Sequence, residues 1–288
     1  MADSLTGIWN GFFVYNDKMK RGTGKVQLTG DANIIIPFLI EQKGLLRKLI
    51  KQTRPKPATE GVHDLRVAIR RLRVAVWLAK HDTDMPRFRN LSKTLLNLGE
   101  ILGSLRQLDV AVNDAKSYRL PVSSLKARRK KARADVARTL TLTLGNLLEK
   151  ELKRLIRFLR KRGDVRMRKA VSELLERAGA FRGRVPGAKE EFHQFRIFIK
   201  KVRYTIEIFG YPPGQIKTLH DLLGKAHDLE ILQQLAGEND AVKLDEAKYC
   251  GLVAKIAKPV MRFARERLAD IAIKDGSTDG NTRGGMLY

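Results

Sequence analysis

The chain has 288 residues, with 57 Lys and Arg against 31 Asp and Glu, a formal charge of +26 and an isoelectric point near 10.4. Its 43% hydrophobic content is that of a folded protein with one large core or two modest ones, and its charge points to a polyanion as partner: nucleic acid, an anionic membrane or a phosphate polymer. A single cysteine, Cys250, excludes an intramolecular disulfide framework and fits a reducing compartment.

Residues 1–30 form a leader rich in Gly and aromatics, in which Ile8-Trp9-Asn10-Gly11-Phe12-Phe13 either turns as a small hairpin at Asn10-Gly11 or has no fixed structure. Gly22-Thr23-Gly24-Lys25 lacks the upstream glycine of a P-loop and is a weak match to one. The first twenty residues hold no long apolar run, and Ile34-Ile35-Ile36-Pro37-Phe38-Leu39-Ile40 is too short to cross a bilayer. A soluble cytoplasmic protein without membrane insertion is expected.

From residue 31 to about 274 apolar residues recur with helical period. The pattern predicts helices at about 33–52, 61–81, 87–103, 105–118, 122–162, 165–179, 188–210, 215–235 and 241–273. They are punctuated by Thr53-Arg54-Pro55-Lys56-Pro57, Thr83-Asp84-Met85-Pro86, Pro121, the stretch 179–187 and Tyr211-Pro212-Pro213-Gly214. The fold class is all-α. Residues 275–288 lack periodicity and read as a flexible tail.

One basic helix is written twice. Val62-His63-Asp64-Leu65-Arg66-Val67-Ala68-Ile69-Arg70-Arg71-Leu72-Arg73 returns as Phe192-His193-Gln194-Phe195-Arg196-Ile197-Phe198-Ile199-Lys200-Lys201-Val202-Arg203. At about 100° per residue, His63, Arg66, Arg70 and Arg73 fall within an arc of roughly 80°, opposite Leu65, Ala68, Ile69, Leu72 and Val76. His193, Arg196, Lys200 and Arg203 repeat the arc, opposite Phe195, Phe198, Ile199, Val202 and Ile206.

Solvated faces usually mix signs, whereas these arcs carry almost no acid. Two cations roughly 8 Å apart repel by about 2 kcal/mol at an effective dielectric of about 20, before screening. A surface that receives an anion accounts for this cost better than an ordinary solvated face. The region 122–205 widens the positive field, with 25 Lys and Arg against 8 Asp and Glu, including Arg128-Arg129-Lys130-Lys131.

Each basic helix is followed by a second repeated segment. Leu98-Gly99-Glu100-Ile101-Leu102-Gly103-Ser104-Leu105-Arg106-Gln107-Leu108-Asp109-Val110 corresponds to Leu219-His220-Asp221-Leu222-Leu223-Gly224-Lys225-Ala226-His227-Asp228-Leu229-Glu230-Ile231. The pairs Glu100/Asp221, Gly103/Gly224, Arg106/His227 and Asp109/Glu230 align. Two halves, about 31–120 and 165–274, joined by a long basic helix over about 122–162, are expected to pack with pseudo-twofold symmetry.

The doubled His-x-x-Arg-x-x-x-[Arg/Lys]-[Arg/Lys]-x-Arg helix, each copy followed by Leu-Gly and an acidic-hydrophobic segment, resembles the CHAD family, the conserved-histidine α-helical domain. The resemblance covers about residues 31–274. Gln107 stands where the family has the first acid of Arg-Asp-x-Asp-Val, and His227 stands in the second half where the first has Arg106.

The resemblance implies two helical bundles around a basic central groove that binds inorganic polyphosphate. It makes His63, Arg66, Arg70, Arg73, His193, Arg196, Lys200 and Arg203 the expected binding residues, with Arg71, Lys201 and Arg106 behind them. Many relatives also carry a CYTH-type triphosphatase domain marked by Glu-x-Glu-x-Lys; this chain is read as having no such signature and is expected to be a stand-alone binding module. Cytoplasmic polyphosphate granules are where such a protein would gather.

Two other readings remain. A nucleic acid, held by charge without sequence reading, explains the charge equally well, although Trp77 and Tyr204 are the aromatics nearest the arcs and neither repeats at its partner position. A metal-dependent phosphatase or polyphosphatase needs an acid cluster beside the groove, for which Glu100, Asp109, Asp221 and Asp228 are the candidates by type. Those acids equally suit helix caps or pairs with surplus Arg and Lys, and no catalytic residue or cofactor is assigned. His63 and His193 read as phosphate contacts or supports of the fold. His220 and His227, about 10.5 Å apart along a helix, cannot share a metal ion unless the helix breaks, so no metal is expected.

Overall fold

The computed structural model describes residues 29–81, 88–181 and 189–273. The Asn10-Gly11 hairpin, Gly22–Lys25, the break at Thr83–Pro86 and the tail 275–288 lie outside them. Among the described residues the chain is all-α apart from one two-residue parallel pairing, β1 (Thr29–Gly30) with β2 (Asp164–Val165). The helices are α1 (Ala32–Thr53), α2 (Thr59–His81), α3 (Arg89–Ser117), α4 (Ser123–Thr139), α5 (Leu142–Arg162), α6 (Arg168–Ala180), α7 (Lys189–Ile208), α8 (Gln215–Ala236) and α9 (Asp240–Ile273).

Two predicted boundaries are corrected. The helices expected at 87–103 and 105–118 are one helix, α3, which runs through Gly103-Ser104. Ser104 turns its hydroxyl onto its own helix, donating to the Glu100 carbonyl at 3.1 Å, so a residue that often ends helices sits inside one. Conversely, the helix expected over 122–162 is two. Thr141 is extended (φ −73°, ψ 161°), and its hydroxyl accepts from the Leu144 amide at 3.1 Å, capping α5. Gly163, at φ 77°, ends α5 in a conformation that suits glycine.

The stripes expected to be apolar are the buried ones: Leu65, Ala68, Ile69, Leu72 and Val76 on α2, and Phe195, Phe198, Ile199, Val202 and Ile206 on α7. They enter one continuous core to which α1, α3, α8 and α9 also contribute, through Leu39, Leu98, Leu223 and Leu268 among others. Ala111, Val112, Leu125, Leu232 and Val242 form a smaller cluster where α3, α4, α8 and α9 meet.

α2 packs on α3 and α7 on α8, while α2 also meets α7 and α3 meets α8. α3 approaches α2 closely at Gly99, where an added Cβ would stand 3.3 Å from Arg73 Nη1 and 3.6 Å from Ile69 Cγ2. This packing brings the two basic helices side by side. The Met167 amide ties α6 to the start of α1 by donating to Asp31 Oδ2 at 2.6 Å.

Candidate anion-binding site

The first two turns of the basic faces converge. Arg66 and Arg70 of α2 lie within electrostatic reach of Arg196 and Lys200 of α7, so four basic side chains from two helices share one space. Arg196 is only 8% exposed, and its Nε is buried without a hydrogen-bond partner. Among the described residues these four side chains have no ion pair within 4 Å. Arg106 of α3 joins them, close enough to act on both Arg66 and His63.

The electrostatic consequences are large. Burial, then Arg70, Arg196 and Arg66, push the Lys200 ammonium down to about 5, against the opposing pull of Asp228. Burial and Arg70 lower Arg66 to about 9 and Arg196 to about 10, so both guanidiniums remain charged at neutral pH. Burial first, then Arg196, Lys200, His193 and Arg66, bring His227 down to about 3. Burial and then Arg106 lower His63 as well. The site concentrates positive charge in a region that water reaches poorly, and its titratable members respond by shedding protons.

The two repeated histidines each have a partner three residues after a repeated glycine. His63 lies within electrostatic reach of Arg106, and His193 packs on His227 with ring centroids 5.8 Å apart. His227 Nδ1 also lies 3.3 Å from Glu230 Oε2.

The other expected site residues have different surroundings. Arg203 donates from Nε to Glu207 Oε1 at 2.9 Å, while its Nη1 lies 2.8 Å from His220 Nδ1 and 3.6 Å from Asp221. Arg71 donates to the other oxygen of Glu207 at 3.2 Å. Glu207, 9% exposed, thus clamps one arginine from α2 and one from α7. Lys201 sits over the Trp77 ring, 3.4 Å from its centroid, and burial followed by Arg177 lowers it to about 8. Arg73 lies against Gly99, close to Arg70 and Glu100. Tyr204 is buried.

The candidate acids divide in the same way. Asp109, 1% exposed, accepts from Arg133 at 3.1 Å and has Arg129 at 3.8 Å, so part of the charge on α4 is structural. Asp221 is taken by Lys217 at 2.8 Å and by His220 at 3.3 Å. Asp228 is different: burial raises its pKa although Arg66 and Arg196 pull it down, and it is a carboxylate that the converging guanidiniums of α2 and α7 share. Among the described residues no three His, Cys, Asp or Glu side chains come together as a metal site.

The sequence also contains a Glu-x-Glu-x-Lys string, Glu149-Lys150-Glu151-Leu152-Lys153, which the expectation of a stand-alone module passes over. On a strand its alternate residues would share a face; on α5 successive alternate positions are about 200° apart. Glu149 holds Lys153 at 2.8 Å, whereas Glu151 pairs with Arg154. Here the string forms local ion pairs.

Comparison with known proteins agrees with the all-α fold. The family model described as CHAD domain matches residues 43–237. The crystal structure of the CHAD domain from the plant Ricinus communis is similar with a TM-score of 0.57 and 18% identity, over 86% of this chain and 97% of that one. PptA from Streptomyces chartreusis is similar with a TM-score of 0.54 and 15% identity, over 85% of this chain and 99% of that one. No curated protein matches. No helix among the described residues is long and apolar enough to cross a membrane.

Proposed function

The chain belongs to the CHAD domain family, which is associated with polyphosphate binding and whose domains are generally non-catalytic binding modules, and from this premise we propose that it binds inorganic polyphosphate without hydrolysing it. The observation that carries the reading is the convergence of Arg66, Arg70, Arg196 and Lys200, four basic side chains that have no ion pair among the described residues, with Asp228 the carboxylate that acts on three of them. A fold gains nothing from such repulsion unless an anion relieves it. A phosphate chain offers negative charge at every unit and acceptor oxygens on all sides, which suits arginine forks beside a movable lysine charge.

His63, His193 and Arg106 belong to this set as partners at its margin. Arg73, Arg71, Arg203 and Lys201 contribute through the field and through the fold. The nucleic-acid alternative is less well served by the same arrangement, because the converging side chains include no aromatic platform for bases.

The test is equilibrium binding of labelled long-chain polyphosphate to wild type and to Arg66→Ala/Arg196→Ala, with free phosphate monitored in the presence of Mg²⁺. The expected result is at least tenfold weaker binding in the double variant and no phosphate release by either protein. Unchanged affinity, or steady release of phosphate, would overturn the proposal.

A further inference from the structure

A second cationic row lies outside the central cluster. On α5, Lys150, Lys153 and Arg157 repeat the i, i+3, i+7 spacing of the two basic helices, and all three are exposed while Leu148, Leu152, Leu155 and Leu159 on the opposite side are buried. Arg47 of α1 closes the other side of a cleft of about 580 Å³ that this row lines. Its acid, Glu149, is already taken by Lys153 at 2.8 Å and Arg47 at 3.8 Å. Among the described residues Lys150 and Arg157 have no ion pair.

Two ordinary explanations are too weak. Cations in the last turn of a helix are stabilised by its negative end, which accounts for Arg160, Lys161 and Arg162 but not for Lys150 and Lys153, two turns or more upstream. A solvated face relieves like charge with i,i+4 acids, yet here the cations outnumber the acids and the surplus faces a concave surface. None of the cleft's lining residues is aromatic, which favours a bare phosphate chain over stacked bases.

We propose that this cleft between α1 and α5 is a second binding site for condensed phosphate, sharing no residue with the central cluster. Its choice of ligand class rests on the function proposed above; its existence as an anion site rests on its own geometry. The open row makes it the weaker and more salt-sensitive of the two. A long chain that occupies both sites is held with an effective concentration that one site cannot supply.

The experiment uses tripolyphosphate, too short to bridge distant sites, titrated calorimetrically into the full chain at low salt. Wild type shows a tight and a weak class. Lys150→Ala/Lys153→Ala/Arg157→Ala loses the weak class, with its Kd raised at least tenfold, and keeps the tight one. These exposed helix positions tolerate alanine. Arg66→Ala/Arg196→Ala loses the tight class alone, so failure of the central reading is seen separately. A control with the same loss of charge on α4, Lys126→Ala/Arg128→Ala/Lys131→Ala, keeps both classes. Wild-type behaviour of the α5 variant, or equal loss in the α4 control, would overturn the site. Displacement of the weakly bound tripolyphosphate by single-stranded oligonucleotide at equal phosphate concentration would overturn its assignment to condensed phosphate.

Discussion

Binding at the central cluster should draw a proton from solution, and Lys200 is the group that takes it. With its ammonium held near 5 by burial, Arg70, Arg196 and Arg66, Lys200 is largely neutral at pH 7 in the free protein. A bound phosphate supplies the opposite charge that its surroundings lack and lifts the pKa back toward the ordinary lysine range. Charging Lys200 at pH 7 costs on the order of 3 kcal/mol, roughly a hundredfold in affinity, and that cost disappears as pH falls toward 5. Affinity should therefore fall close to tenfold per pH unit above about 5, until the pKa of the bound state is reached.

Calorimetry at pH 7 in two buffers of different ionisation enthalpy measures the uptake directly. Wild type takes up about one proton more than Lys200→Arg, whose guanidinium stays charged throughout while binding persists. The same buffer dependence in both proteins, or none in wild type, would refute the reasoning.

Three further outcomes follow from the same charges. Unfolded Lys200 is protonated below about 10.5 while the folded group is neutral above about 5, so the unfolded chain holds the extra proton across that window and free-protein stability rises with pH through it. Lys200→Met should accordingly stabilise the free protein by on the order of 2–5 kcal/mol in thermal or urea unfolding while weakening polyphosphate binding, whereas a lower melting temperature would contradict the shift. Asp228→Asn removes the anion that competes for Arg66 and Arg196, so polyphosphate should bind several-fold more tightly in a direct titration. Glu207→Gln releases the clamp on Arg71 and Arg203 and should cost about 3 kcal/mol of stability by denaturant unfolding.

The apolar stripes of α2 and α7 were legible because helical period and burial agree residue by residue. Helix ends were less so. Gly103-Ser104 resembles a stop but runs on because Ser104 bonds back to Glu100, and Thr141 resembles helix interior but caps α5. The cationic arcs were visible; their division was not. Arg203 has Glu207 four residues away, a pairing that spacing could have found, but the bond from Arg71 to the same carboxylate spans 136 positions. Lys201 over Trp77 likewise depends on how the halves meet. The convergence on Asp228 is tertiary, and nothing in the local sequence around Asp228 announces it.

The most direct test of the central claim is a competition titration at fixed salt, displacing labelled long-chain polyphosphate with single-stranded RNA, duplex DNA and orthophosphate, for wild type and Arg66→Ala/Arg196→Ala. The account predicts that polyphosphate binds wild type at least tenfold more tightly than either nucleic acid and that the double variant loses this preference. Equal affinity for all polymers, unchanged by the substitutions, would contradict it.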